Sequence, residues 1–168
     1  MKTKEIVQPV KLIMEGASKL IIEIYESQKN IDFQKKYDDS PLTIADLRSN
    51  EFISTSLKKL FPDIPIISEE GVEEAKKKET FWLIDPLDGT KEFIDKSEEF
   101  TINIALIKNG KPLLLEVRIS KLLVKKMAIK ETYKHVFQKK IVELQLVRSI
   151  KLLKNKDLLD ILKRSSKK

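Results

Sequence analysis

Phe81-Trp82-Leu83-Ile84 sets four large apolar residues in a row, and Asp85-Pro86-Leu87-Asp88-Gly89 follows without a spacer. A short run this rich in β-formers reads as a buried strand. The proline and the glycine after it read as a tight turn. Ionised carboxylates do not belong along a buried strand, so Asp85 and Asp88 are expected at its end. In α/β sheets, strand ends open onto a common crevice. The stretch therefore predicts an α/β fold with acidic side chains gathered at one end of a sheet.

The flanking segments supply the other layer. Residues 7–27 place Val10, Ile13, Met14, Ala17, Leu20, Ile21 and Ile24 at helical spacing, with Lys11, Glu15, Lys19 and Glu23 off that stripe. Residues 34–41 are polar and end on Pro41, which predicts a loop or short turn. Thr43 then stands as an N-cap, with Asp46 three residues on at capping-box spacing. Ile44, Leu47, Ile53, Leu57 and Leu60 are expected to form the inward face of that second helix. Residues 64–68 predict another buried strand, and 71–80 a solvated connection. Residues 100–107 predict a strand too, with Asn109-Gly110 turning it into a hairpin.

Three acidic groups thus fall at the ends of elements: Asp46, Glu69-Glu70, and Asp85 with Asp88. Converged carboxylates repel, and a partly buried site tolerates them only with protons or cations. An all-oxygen donor set without His or Cys suits Mg²⁺ better than zinc. Mg²⁺ acidifies a water and neutralises charge building on a phosphate. Gly89 permits close backbone approach, and the amides after it are placed to meet phosphate oxygens. Each cluster also has a plainer reading: an acidic turn, a solvated strand end, and a helix-start carboxylate. Trp82, Phe93 and Phe100 read as core residues, and Lys35, Lys36 and Lys91 as solvated.

Taken in order, SPLTIAD (40–46), SEE (68–70) and WLIDPLDGT (82–90) resemble the motifs of the inositol monophosphatase superfamily, lithium-sensitive and Mg²⁺-dependent phosphomonoesterases. PLDGTKEF followed by FTINIALIKNGKP is similar to the CysQ-type 3'(2'),5'-bisphosphate nucleotidases within it. The resemblance covers roughly residues 5–114 and implies the N-terminal half of an α+β layered sugar-phosphatase fold. By this resemblance Glu69, Asp85 and the Leu87 carbonyl hold one Mg²⁺, and Asp85 and Asp88 share a second. Thr90, paired with Asp46, orients the nucleophilic water, and Glu69, Leu87, Asp88, Gly89 and Thr90 meet the substrate. The implied substrate is adenosine 3',5'-bisphosphate, a by-product of sulfate assimilation, cleaved to AMP and phosphate. The family's later W-D-x-A motif has no counterpart, since Trp82 is the single tryptophan.

Composition changes where the resemblance stops. Residues 1–114 hold 17 Lys+Arg against 21 Asp+Glu, whereas residues 115–168 hold 16 against 5. All four glycines and all six prolines precede residue 113. The net charge of +7 therefore comes from the last third, which argues against a uniformly basic nucleic-acid-binding domain. Two units are expected: a phosphatase portion at 1–114 and a lysine-rich tail at 115–168, helical or irregular. The tail reads as an out-of-frame continuation of a truncated family member, or as a small helical cap. Residues 141–164 also fit a basic amphipathic helix for a membrane surface or nucleic acid, and His135 reads as non-catalytic. The absence of cysteine, of an apolar run of about 20 residues and of a secretory leader predicts a cytoplasmic chain. Beside the hydrolase stand two other readings, a non-catalytic remnant keeping a metal- or phosphate-binding loop and a basic interaction module.

Overall fold

The computed structural model describes residues 3–72, 79–97, 99–109 and 111–119. The expectations for the tail beyond 119, for His135 and for most of the 71–80 connection lie outside the described residues.

Helix α1 (Thr3–Ser27) buries Val10, Ile13, Met14, Ala17, Ile21 and Ile24 of the expected stripe and leaves Leu20 partly buried. Of residues 34–41, expected as a loop or short turn, 36–40 form a turn and the ends add to the two strands of a small antiparallel hairpin. Its strands are β1 (Phe33–Lys35) and β2 (Pro41–Thr43), with Gln34 opposite Leu42. Pro41 is tolerated because it opens its strand. Helix α2 (Ile44–Leu60) starts directly from β2, capped by Thr43 with a complete capping box.

The inward face of α2 differs from the expected one. Ala45, Asp46, Ser49, Ile53 and Leu57 are buried, whereas Ile44, Leu47 and Leu60 are exposed. The helix turns polar residues inward because its first turns face the acidic end of the sheet, so apolar spacing alone misorients it.

The main sheet has the order β4-β3-β5-β6-β7. Its strands are β3 (Ile66–Ser68), β4 (Gly71–Val72), β5 (Thr80–Asp88), β6 (Thr101–Lys108) and β7 (Lys111–Ile119). Strands β3 and β5 are parallel, so Ser68 and Ile84 lie side by side and both chains deliver their acidic residues at one end. Ile66, Trp82, Ile84, Ile104 and Leu106 pack into one core with α1 and α2. Ile67, Phe81, Leu83, Ala105 and Ile107, of alternate parity, are buried as well. Burial of both parities explains why these strands read as continuous apolar runs rather than alternations. Strand β7 runs through Leu114, where the composition changes, as far as Ile119.

Helix α3 (Thr90–Ile94) follows β5 after a single residue, Gly89. Tyr25, Phe93 and Phe100 form an aromatic cluster with ring centroids 5.1–5.4 Å apart. Lys96 stands 4.1 Å over the Tyr25 ring and donates to the Tyr25 carbonyl. These contacts tie the segment after β5 to the end of α1. Among the described residues no helix is long and apolar enough to cross a membrane.

Candidate active site

Strand β5 extends past the aspartate where a turn was expected. Its ladder with β6 pairs Asp85 with Asn103 and then Asp88 with Thr101, skipping Pro86 and Leu87. That irregularity lets a proline sit in the strand and leaves Asp88 near enough for its charge to act on Asp85. Gly89 follows at φ +93°, and a Cβ there would stand 2.7 Å from the Glu99 carbonyl oxygen. Both the backbone angle and the close approach require glycine.

Asp46 does two jobs with its two oxygens. Oδ2 accepts the Thr43 amide at 2.8 Å and the Thr43 hydroxyl, completing the cap. Oδ1 accepts the Thr90 hydroxyl at 3.0 Å. The plain reading of Asp46 as a helix-start carboxylate and the functional one therefore coexist in one side chain. Thr90 also lies 3.2 Å from the Leu87 carbonyl, an alternative acceptor for its single proton. Burial raises the Asp46 pKa, opposed by the hydrogen bonds from Thr43 and Thr90.

The metal-type carboxylates form a second group. Asp85 is 7% exposed, and its Oδ1 has no hydrogen-bond partner. Burial first, and then the charges of Glu69 and Asp88, hold its pKa well above the ordinary range. The donor chemistry fits a hard divalent cation: oxygen only, acidic and short of donors. Among the described residues, however, no three acidic or histidine side chains close to a metal-holding cluster. Glu69 lies close enough to Asp85 to share a hydrogen bond with it, and it has another partner as well.

That partner is Lys36. Its ammonium lies 3.3 Å from Glu69 and 2.6 Å from Glu70, with only 17% of its side chain exposed. Burial alone would lower its pKa, but the two glutamates outweigh this and hold it above the usual value. Glu70 moves up to about 7, through burial that Lys36 only partly offsets. Lys36 was expected to be solvated. Only the β1–β2 hairpin brings it across 33 residues of chain, and nothing local in KKYDDS signals that contact.

Asn103 was also missed. It lies opposite Asp85 on the same face of the sheet, is 9% exposed, and its Nδ2 has no partner. An asparagine inside the otherwise apolar run 102–107 was the available signal. Trp82 is fully buried against Phe61, Phe93 and Phe100 are core, and Lys91 is exposed, each as expected.

The model of the inositol monophosphatase family matches residues 3–116. The chain belongs to that family. It is 45% identical over 105 residues to the 3'(2'),5'-bisphosphate nucleotidase CysQ of Escherichia coli K12, covering 61% of this chain and 43% of that protein. The crystal structure of CysQ from Bacteroides thetaiotaomicron, an inositol monophosphatase family member, matches at 36% identity with a TM-score of 0.58, over 70% of this chain and 43% of that one. An IMPase/NADP phosphatase solved with Mg²⁺ and phosphate shares the fold, with a TM-score of 0.61 at 20% identity over 70% of this chain and 44% of that one. The chain spans less than half the length of these relatives.

Proposed function

We propose that this inositol monophosphatase family chain carries the site of an Mg²⁺-dependent phosphomonoesterase for a 3'(2'),5'-bisphosphate nucleotide, releasing AMP and phosphate from adenosine 3',5'-bisphosphate. One observation carries this most: the 3.0 Å Thr90–Asp46 hydrogen bond at the same strand end as the unpartnered Asp85 oxygen. The likeness to proteins named 3'(2'),5'-bisphosphate nucleotidase supports the substrate class.

Glu69, Asp85, the Leu87 carbonyl and Asp88 are the residues that would hold Mg²⁺. When bound, Mg²⁺ supplies positive charge to the phosphoryl oxygens and lowers the pKa of a water. Thr90 points its proton at Asp46 Oδ1 or the Leu87 carbonyl, so its oxygen is left to accept a hydrogen from the attacking water. Asp46 is the destination of that proton, and burial makes it a stronger base than an exposed aspartate. The cap occupies Oδ2 and so presents only Oδ1 to Thr90. Gly89 makes the left-handed turn into α3 at this strand end, where the amides after it would meet the phosphate. The water oxygen bonds to phosphorus, the bond to the 3'-oxygen breaks, and that oxygen takes a proton from solvent.

Phosphate release from adenosine 3',5'-bisphosphate and from inositol 1-phosphate, with Mg²⁺ or EDTA, tests this for wild type and Asp85→Asn. Mg²⁺-dependent release from the nucleotide, lost in the variant, is expected. Release that persists in EDTA or ignores the substitution contradicts the scheme. Mg²⁺ binding without release from either substrate identifies a non-catalytic remnant instead.

A further inference from the structure

Asp46, Ser49 and Asn50 stand at i, i+3 and i+4 along α2 and so share one face. Each grips a different piece of the site. Asp46 accepts the Thr90 hydroxyl. Ser49, fully buried, donates to the Pro86 carbonyl at 2.8 Å, a contact spanning 37 residues of chain. Asn50 accepts the Ser68 hydroxyl at 2.6 Å, and that hydroxyl accepts the Glu70 amide at 3.2 Å. One helical turn thus ties together the start of α3, the end of β5 and the end of β3.

The Ser49 bond falls where the sheet is weakest. Pro86 and Leu87 have no ladder partners on β6, so the helix holds the peptide between the two aspartates. Alanine would fill that buried position without a polar group to satisfy, so the hydroxyl is explained by its bond rather than by packing. Ser68 plays the matching part at the other strand, anchored to α2 rather than to solvent while it orients the Glu70 backbone.

Building on the phosphatase proposal, we infer that Ser49 and Asn50 are positioning residues. Acting through Pro86 and Ser68, they set the spacing between Asp85 and Asp88 on one strand and Glu69 on the other. That spacing governs affinity for the divalent cation.

Calorimetric Mg²⁺ titration of Ser49→Ala, Asn50→Leu and Ile53→Val tests this. Ile53 is one turn beyond Ser49, fully buried, and belongs to the apolar core, so its truncation costs packing alone. Partners that orient metal ligands are worth roughly 10- to 100-fold in affinity. Ser49→Ala and Asn50→Leu are each expected to weaken Mg²⁺ binding at least about tenfold, with Ile53→Val staying within about twofold. Unchanged affinity in Ser49→Ala overturns the inference, and so does an equal loss in Ile53→Val.

Hydrogen exchange of the metal-free chain supplies a second readout, independent of the metal. Ser49→Ala is expected to speed exchange in the peptide covering residues 85–90, which Ile53→Val leaves unchanged. Exchange unaltered by Ser49→Ala overturns the inference even where the wild type binds Mg²⁺. Faster exchange in a chain whose wild type takes up no Mg²⁺ sustains the anchoring of these segments and overturns the phosphatase proposal instead.

Discussion

Asp85→Asn separates what a buried carboxylate costs the fold from what it contributes to a bound ion. Asp85 is 7% exposed, has one oxygen without a partner, and feels the charges of Glu69 and Asp88. The amide is nearly isosteric and offers a donor to the carboxylates that Asp85 repels. A buried polar atom left unsatisfied costs roughly 1–3 kcal/mol, and nearby like charge adds to this wherever the group is ionised. The variant is therefore expected to gain about 1–3 kcal/mol of metal-free stability near pH 8. In a chain of this size, that raises the melting midpoint by roughly 2–4 °C per kcal/mol.

Mg²⁺ should reverse the order. A ligand at 1,000 times its Kd adds about 4.1 kcal/mol to the form that binds it. Wild type gains that amount, and the variant, short of one ligand charge, gains little. Scanning fluorimetry in EDTA and in saturating MgCl₂ gives four midpoints whose order crosses. A variant that melts below wild type in EDTA, or gains as much from Mg²⁺, refutes the reasoning.

Further outcomes follow from single contacts. Thr90→Val keeps the shape and removes the hydroxyl that meets Asp46, so phosphate release should fall at least about 100-fold; near-normal turnover counts against the proton path. Gly89→Ala forces a left-handed backbone and a clash with the Glu99 carbonyl. It should cost about 1–3 kcal/mol from the backbone alone, read as a lower urea midpoint; an unshifted midpoint contradicts the geometry. The raised pKa of Glu70 has a definite sign. The folded chain holds the proton up to about 7, against 4.5 for an unperturbed glutamate, so this group's stabilisation is lost as pH rises through that window. Urea unfolding across it should show a flatter pH slope in Glu70→Gln than in wild type, and identical slopes would contradict the assignment.

Legibility in the sequence followed how local each cause is. The inward stripe of α1 could be read because nearly every residue on it is apolar, Ser18 excepted, and β5 because burial of both parities leaves an unbroken apolar run. The cap at Thr43 and Asp46 is a four-residue device, visible as spacing. The orientation of α2 was not legible, because its inward face carries Asp46 and Ser49 while Ile44, Leu47 and Leu60 point outward. That inversion is caused by what the helix faces, which no helical period encodes. The same holds for the site. The aspartates and Thr90 follow one another in sequence, whereas Lys36 meets the glutamates only through the β1–β2 hairpin. Asn103 meets Asp85 only through strand register, and Ser49 reaches Pro86 only by helix–sheet packing.

The central claim is that a divalent ion settles where β3, β5 and the start of α2 meet. Mn²⁺ titrated below stoichiometry into isotope-labelled protein reports that position by broadening nearby amide signals. The amides of Glu70, Asp88, Gly89 and Thr90 are predicted to broaden first and to recover when excess Mg²⁺ is added, while those in the middle of α1 stay sharp. Broadening spread over exposed carboxylates such as Glu15, Glu23 and Asp63, with Gly89 and Thr90 untouched, would contradict it.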